Sequence, residues 1–183
     1  SYLPGVQLPY NVRATYELDH VFKHSDVLIL AVPSHAFVDI VERIPFAPEH
    51  FYAVVSLSKG FDPTSGRRLS QEFLQIQESL DNYYFLTGPS HAEEVAQKLP
   101  TSAVIGGGEE AGRIRLQETF SRDYLRIYHN PDLIGLEMGA ALKNIIAIAA
   151  GISDGLQFGM NARAGLITRG LQEIRRISEY EGG

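Results

Sequence analysis

The chain has no cysteine among its 183 residues. That excludes a disulfide framework and a thiolate metal site, and it suits a reducing, cytoplasmic setting. Positive charge is scarce: 16 Lys and Arg stand against 22 Asp and Glu, a formal net charge of −6. Nucleic acids and anionic membranes both reward clustered Lys and Arg, so neither is expected as a partner. Uninterrupted apolar runs fall short of the roughly 20 residues that span a bilayer. The opening residues carry no signal-peptide pattern, and no fixed-period repeat or low-complexity tract is found. What is present is the composition of a soluble globular protein, 44% apolar and 21% charged.

From about residue 16 helical and strand patterns alternate. "TYELDHVFKH" reads as a short helix, and "DVLILAVP" as a strand buried on both faces. "SHAFVDIVERI" has helical spacing, and "FYAVVSLS" is a second buried strand. "LSQEFLQIQESL" is amphipathic, with Leu69, Phe73, Ile76 and Leu80 along one face. Strand "YYFLTG", helix "HAEEVAQKL", strand "TSAVIGG", helix "AGRIRLQETFS" and strand "YLRIYH" follow. This alternation implies βαβ units and a mostly parallel sheet. Beyond His129, Asn130 and Pro131 only helical pattern remains, interrupted by the Gly-rich "GISDGLQFGMN". The expected organisation is an α/β domain over residues 1–131 and the start of an all-helical domain over 132–183.

Polar signatures close three of the strands: "AVPSHA" (31–36), "SLSKG" (56–60) and "TGPSHAEE" (87–94). In open α/β sheets ligands bind beyond the carboxyl ends of strands. A Pro-Ser turn there caps the next helix, and Ser90 with Glu93 fits a capping box. Helix caps alone account for such serines; a helix start that receives an anion is the functional alternative. Lys59 follows a strand directly, with Gly60 to admit a close approach; a solvated lysine is the plainer reading.

Lys143 and Asn144 interrupt the apolar helix "GAALKNIIAIAAGISDG". Helical spacing sets Lys143 beside Gly139, Ala140, Ala147 and Ala150, a small-residue stripe that leaves room next to the ammonium. Leu142, Ile145, Ile148 and Ile152 fall on another face and are expected to be buried. A desolvated lysine is suited to general acid or base work. A lysine that snorkels to the surface from a buried helix is the structural alternative. His35 and His91 read first as helix-start residues, and Asp154 as a turn cap. Arg163 and Arg169 could bind an anion or pair with the many acids. "IGGGEE" lacks dinucleotide-fingerprint spacing and reads as a turn before a helix.

The ordered set "LPGVQLP", "AVPSHA", "SKGFD", "GPSHAEEVAQKLPTSAV" and "EMGAALKNIIAIAAGISDGLQFGMNARAGLITRGLQEI" resembles the NAD(P)-dependent glycerol-3-phosphate dehydrogenases, the bacterial type most closely. The resemblance covers essentially the whole chain. It implies a Rossmann-like sheet followed by a helical domain, both incomplete here. It implies hydride transfer between NAD or NADP and the pair dihydroxyacetone phosphate and sn-glycerol 3-phosphate, supplying phospholipid synthesis in the cytoplasm. By position Lys143 would be the proton donor and acceptor, and Lys59 would contact cofactor and substrate. Gly88, Ser90 and Asn144 would line the substrate site, and Ala92 the cofactor site. No metal is implied, and a homodimer is compatible. The family's Gly-rich fingerprint and its later substrate-binding residues have no counterpart in residues 1–183, so the chain alone is expected to bind cofactor poorly and turn over little. Other 6-phosphogluconate-type or hydroxyacid dehydrogenases, and a non-catalytic nucleotide-binding module, are the competing readings.

Overall fold

The computed structural model describes residues 3–45 and 51–183. Five strands form one sheet in sequence order: β1 (Val27–Leu30), β2 (Ala53–Ser56), β3 (Tyr83–Thr87), β4 (Thr101–Gly107) and β5 (Leu125–Asn130). The first three are parallel, β4 runs antiparallel to β3, and β5 is parallel to β4. Helices α1 (Leu18–Lys23), α2 (Phe37–Val41), α3 (Leu69–Gln77), α4 (Ala92–Ala96) and α5 (Glu110–Phe120) alternate with them. Two long helices, α6 (Leu133–Gly155) and α7 (Gly159–Tyr180), complete the chain. The architecture is the Rossmann-like sheet with a helical continuation that the sequence pattern implies.

The two-residue period of a strand sends alternate side chains to opposite faces, and this sheet has a core on each. Val54 and Tyr83 join Phe22, Phe37, Val41, Leu69 and Phe73 from α1, α2 and α3. Ala53, Val55 and Tyr84 pack instead with Ile105, Ile127 and Leu116 of α5. Ile76 and Leu80 flank the first cluster, so the apolar stripe read for α3 is realised. β1 departs from its expected double burial. It is the edge strand: Leu28 and Leu30 enter the core, while on its other face Val27 flanks the second cluster and Ile29 stays 49% exposed.

α6 begins with Asp132, whose carboxylate accepts the Gly135 N–H at 2.7 Å and satisfies one of the free donors of the first turn. Close packing brings Leu136 against Gly106 and Leu133 against Gly107. Gly107 and Gly108 hold positive φ angles of 83° and 49°, which gives the turn before α5 that "IGGGEE" predicts. The break between the long helices is shorter than its glycines imply: α6 runs through Gly151 and Gly155, and only Leu156, Gln157 and Phe158 separate it from α7.

Two expectations for α6 are corrected. Ile145, Ile148 and Ile152 are 62%, 65% and 59% exposed, because α7 and the sheet cover only part of the helix. By length and composition α6 also meets the requirement for a membrane-crossing helix, with a mean hydropathy of 1.6. Lys143 and Asn144 interrupt the apolar run, but the flanking Ile, Leu and Ala outweigh them in the average.

Candidate functional site at the ends of three parallel strands

β1, β2 and β3 are adjacent and parallel, so the three polar signatures leave the same edge of the sheet. The sequence shows only that each follows a strand; the topology brings them together. Buried Ser58 ties two of the turns, its hydroxyl donating to the Val32 carbonyl at 2.6 Å. Gly60 has φ 108°, and the atoms nearest to a Cβ built on it belong to Ser34, 3.9 Å away. This edge is therefore open enough for a ligand to meet the backbone.

Gly88 is fixed for the opposite reason. A Cβ there would lie 2.6 Å from the Ser102 carbonyl oxygen and 2.8 Å from the Ala103 Cα. Only glycine lets β3 turn this close to β4. Ser90, His91 and Ala92 follow as exposed residues. The Ser90–Glu93 capping box is absent: α4 takes His91 as its N-cap and has no side-chain cap bond. The helix starts one residue too late for Ser90 to serve it, which leaves the Ser90 side chain at the edge.

Lys59 and Lys143 come from opposite halves of the chain, and the charge of Lys143 reaches Lys59. The Lys59 pKa is lowered, first by burial of its surroundings and then by repulsion from Lys143. Lys59 as a whole is still exposed, so water screens part of that repulsion. Lys143 and Asn144 are exposed as well, against the expectation of a desolvated lysine. They project from the side of α6 that the described residues leave uncovered. The expected room beside the ammonium is present at Gly139, where an added Cβ would meet nothing within 4 Å.

Of the lesser candidates, Asp154 lies within the last turn of α6 and is not the turn cap expected of it. Arg163 pairs with Asp154 at 3.3 Å on the surface. His35, His91 and Arg169 are exposed. Buried Arg113 donates to the Gly107 and Gly108 carbonyls at 2.8 and 2.6 Å and braces the "IGGGEE" turn.

Sequence reasoning missed the polar cluster that joins the two halves. Glu137 of α6, 5% exposed, accepts from Arg68 Nη1 at 3.0 Å, from the Ser70 N–H at 3.0 Å and from the Ser70 hydroxyl at 2.5 Å. Arg68 is itself only 9% exposed. Burial raises the Glu137 pKa, while the bonds from Ser70 and Arg68 favour its charged form. The available signal was an acid in the apolar run "LIGLEMGAAL", since a buried carboxylate requires donors.

Residues 1–112 match the family described as NAD-dependent glycerol-3-phosphate dehydrogenase N-terminus, and residues 132–183 the corresponding C-terminus. A glycerol-3-phosphate dehydrogenase (NAD(P)+) of Carboxydothermus hydrogenoformans is 46% identical over 96% of this chain and 53% of its own length. One of Pelotomaculum thermopropionicum is 42% identical over 99% of this chain and 52% of its own. The crystal structure of glycerol-3-phosphate dehydrogenase from Coxiella burnetii superposes with a TM-score of 0.89 at 35% identity, covering 99% of this chain and 55% of that one. A pyrroline-5-carboxylate reductase from the same organism, at 12% identity and a TM-score of 0.51, shares the fold alone. The chain spans about half the length of the curated relatives that it matches. It belongs to the NAD-dependent glycerol-3-phosphate dehydrogenase family.

Proposed function

We propose that the full-length protein interconverts dihydroxyacetone phosphate and sn-glycerol 3-phosphate by hydride transfer with NADH or NADPH. What supports this reading is that three parallel strand ends leave one edge of the sheet, with Lys59 on it and the charge of Lys143 acting on Lys59. Two positive charges near one another favour an anion beside them, and a phosphorylated ketone supplies one. Lys143 donates the proton that the ketone oxygen needs as it becomes an alkoxide, and takes it back in the reverse direction. Lys59 holds substrate and cofactor together. Gly88, Ser90 and Asn144 line the substrate side and Ala92 the cofactor side.

The accessible backbone at Gly60, beside Ser34, leaves room at this edge for a cofactor. The cofactor, when bound, supplies the hydride. We assign residues 1–131 to the dinucleotide-binding domain and 132–183 to the helical substrate domain. The protein acts in the cytoplasm, feeds phospholipid synthesis and pairs as a homodimer. α6 is a helix of the soluble fold, since Glu137 ties it to α3 by a buried ion pair.

The test follows loss of NADH or NADPH absorbance on adding dihydroxyacetone phosphate to the full-length protein. Oxidation that depends on this ketone, and disappears in a folded Lys143→Met variant, is the expected result. Cofactor binding without turnover of this ketone would overturn the assignment of substrate.

A further inference from the structure

We propose that the Arg68–Ser70–Glu137 cluster is a positioning device that holds Lys59 and Lys143 in register across the junction of sheet and helices. The inference deepens the reading above and rests on it for the roles of the two lysines.

One rigid path leads from the cluster to each lysine. On the helical side Glu137 and Lys143 share α6, six residues apart, so fixing the carboxylate fixes the rotation and slide of that helix. On the other side the segment after Lys59 is a closed hairpin. Phe61 bridges back to Arg68, the Asp62 N–H donates to the Arg67 carbonyl at 2.9 Å, and the Asp62 carboxylate accepts the N–H groups of Thr64 and Ser65. Arg68 closes this hairpin two residues before Ser70, whose N–H and hydroxyl are both taken by Glu137. The carboxylate thus caps the start of α3 from a different element, where no side chain of α3's own first turn accepts the Ser70 N–H.

A purely stabilising role is a poor explanation for such a cluster. Buried ion pairs offset most of their attraction by desolvation and contribute little net stability, but removing one partner is costly because the other charge stays buried. Among the described residues the Arg68 Nε has no partner, so Glu137 and Ser70 are what holds the guanidinium. Losing the charge of Glu137 leaves Arg68 buried without a counter-ion. Arg68 then moves toward water and carries the hairpin after Lys59 with it.

The experiment uses the full-length protein with Glu137→Gln and, separately, with the apolar pair Arg68→Met and Glu137→Leu. The expected result is a fall in kcat on the order of 10²-fold, the loss that a misplacement of about 1 Å can cause. KM for ketone and cofactor should change little. The apolar pair should restore thermal stability but not kcat, which separates positioning from support. A second readout needs no turnover: pH-dependent acylation of Lys59, followed by mass spectrometry. Burial and Lys143 both lower Lys59, so a Lys59 pKa that rises in the variants reports that Lys59 has left its place, through exposure, separation from Lys143 or both. If the wild-type protein ignores dihydroxyacetone phosphate, the functional reading fails and this titration still decides the positioning role. Full kcat in either folded variant, or an unmoved Lys59 titration, overturns the proposal.

Discussion

Lys143 on α6 lies near enough to Lys59, on the turn after β2, for its charge to lower the proton affinity of Lys59, second only to burial. Removing the second charge must therefore raise the Lys59 pKa. Lys143→Met is expected to move it toward, but not to, the ordinary lysine value of 10.5, because burial is the larger cause and remains. The sign carries over to stability. Between the lowered pKa and 10.5 the folded protein binds fewer protons than the unfolded chain, so the Lys59 contribution improves as pH rises through that window. The variant should narrow the window. Acylation of Lys59 across alkaline pH measures it, and a downward shift would contradict the pairing.

Gly88 is the position at which the β3 edge of the site and the packing of the sheet are the same problem. With Ser102 and Ala103 backbone atoms 2.6 and 2.8 Å from an added Cβ, neither neighbour can rotate away. Gly88→Ala is expected to cost about 1–3 kcal/mol, the range for overpacking a filled space. It should also displace Ser90 and raise KM for the phosphorylated ketone in the full-length protein. Urea unfolding and initial-rate kinetics on the same preparation test both parts. An unchanged unfolding midpoint would mean that β3 and β4 separate more readily than their register implies.

Asp62 shapes the hairpin beyond Lys59, and its pKa is lowered chiefly by the Ser65 N–H, with the Ser65 hydroxyl and Thr64 N–H adding to this. A depressed carboxylate contributes stability that is fully present above the unfolded value of 3.8 and lost as pH falls through the folded value. Asp62→Asn keeps an acceptor but removes the charge. The variant should be less stable than wild type at neutral pH, and the difference should close in acid. Denaturant midpoints at pH 7 and at successively lower pH give the answer; a constant gap would assign the effect to shape and not to charge.

The sheet was legible because its strands are short apolar runs between helical stripes, and Leu69 and Phe73 sit where the 3.6-residue period puts them. Each polar strand end was legible as a motif, but their meeting depends on strand order and direction, which no local pattern encodes. Ile145, Ile148 and Ile152 show the converse limit. Periodicity identifies a face that prefers burial, yet only tertiary structure determines whether something covers it. The Glu137 cluster was illegible for a related reason: its donors lie 67 and 69 residues away in sequence. Ser90 failed as a cap because the start of α4 shifted by one residue, the scale on which helix ends are least determined by sequence.

α7 offers a pair of substitutions with opposite expected signs. Gly165 and Gly170 lie on the same helix, where glycine costs roughly 0.5–1 kcal/mol relative to alanine through backbone entropy. Nothing lies within 4 Å of a Cβ built on Gly165, so Gly165→Ala should gain about that amount. At Gly170 the new Cβ would press against Ile146 of α6, with Cγ1 at 2.9 Å and Cδ1 closer still. Isoleucine is stiff about its first torsion in a helix, so relief by rotation is limited. Gly170→Ala should therefore destabilise by about 1–3 kcal/mol despite its better helix propensity. Adding Ile146→Val removes the Cδ1 atom that clashes first and should recover part of the loss. Thermal unfolding of the three single variants and the Gly170→Ala, Ile146→Val double variant forms the test. If Gly170→Ala proves as favourable as Gly165→Ala, then α6 and α7 are not packed at the distance that requires glycine, and the frame that carries Lys143 is looser than Gly170 implies.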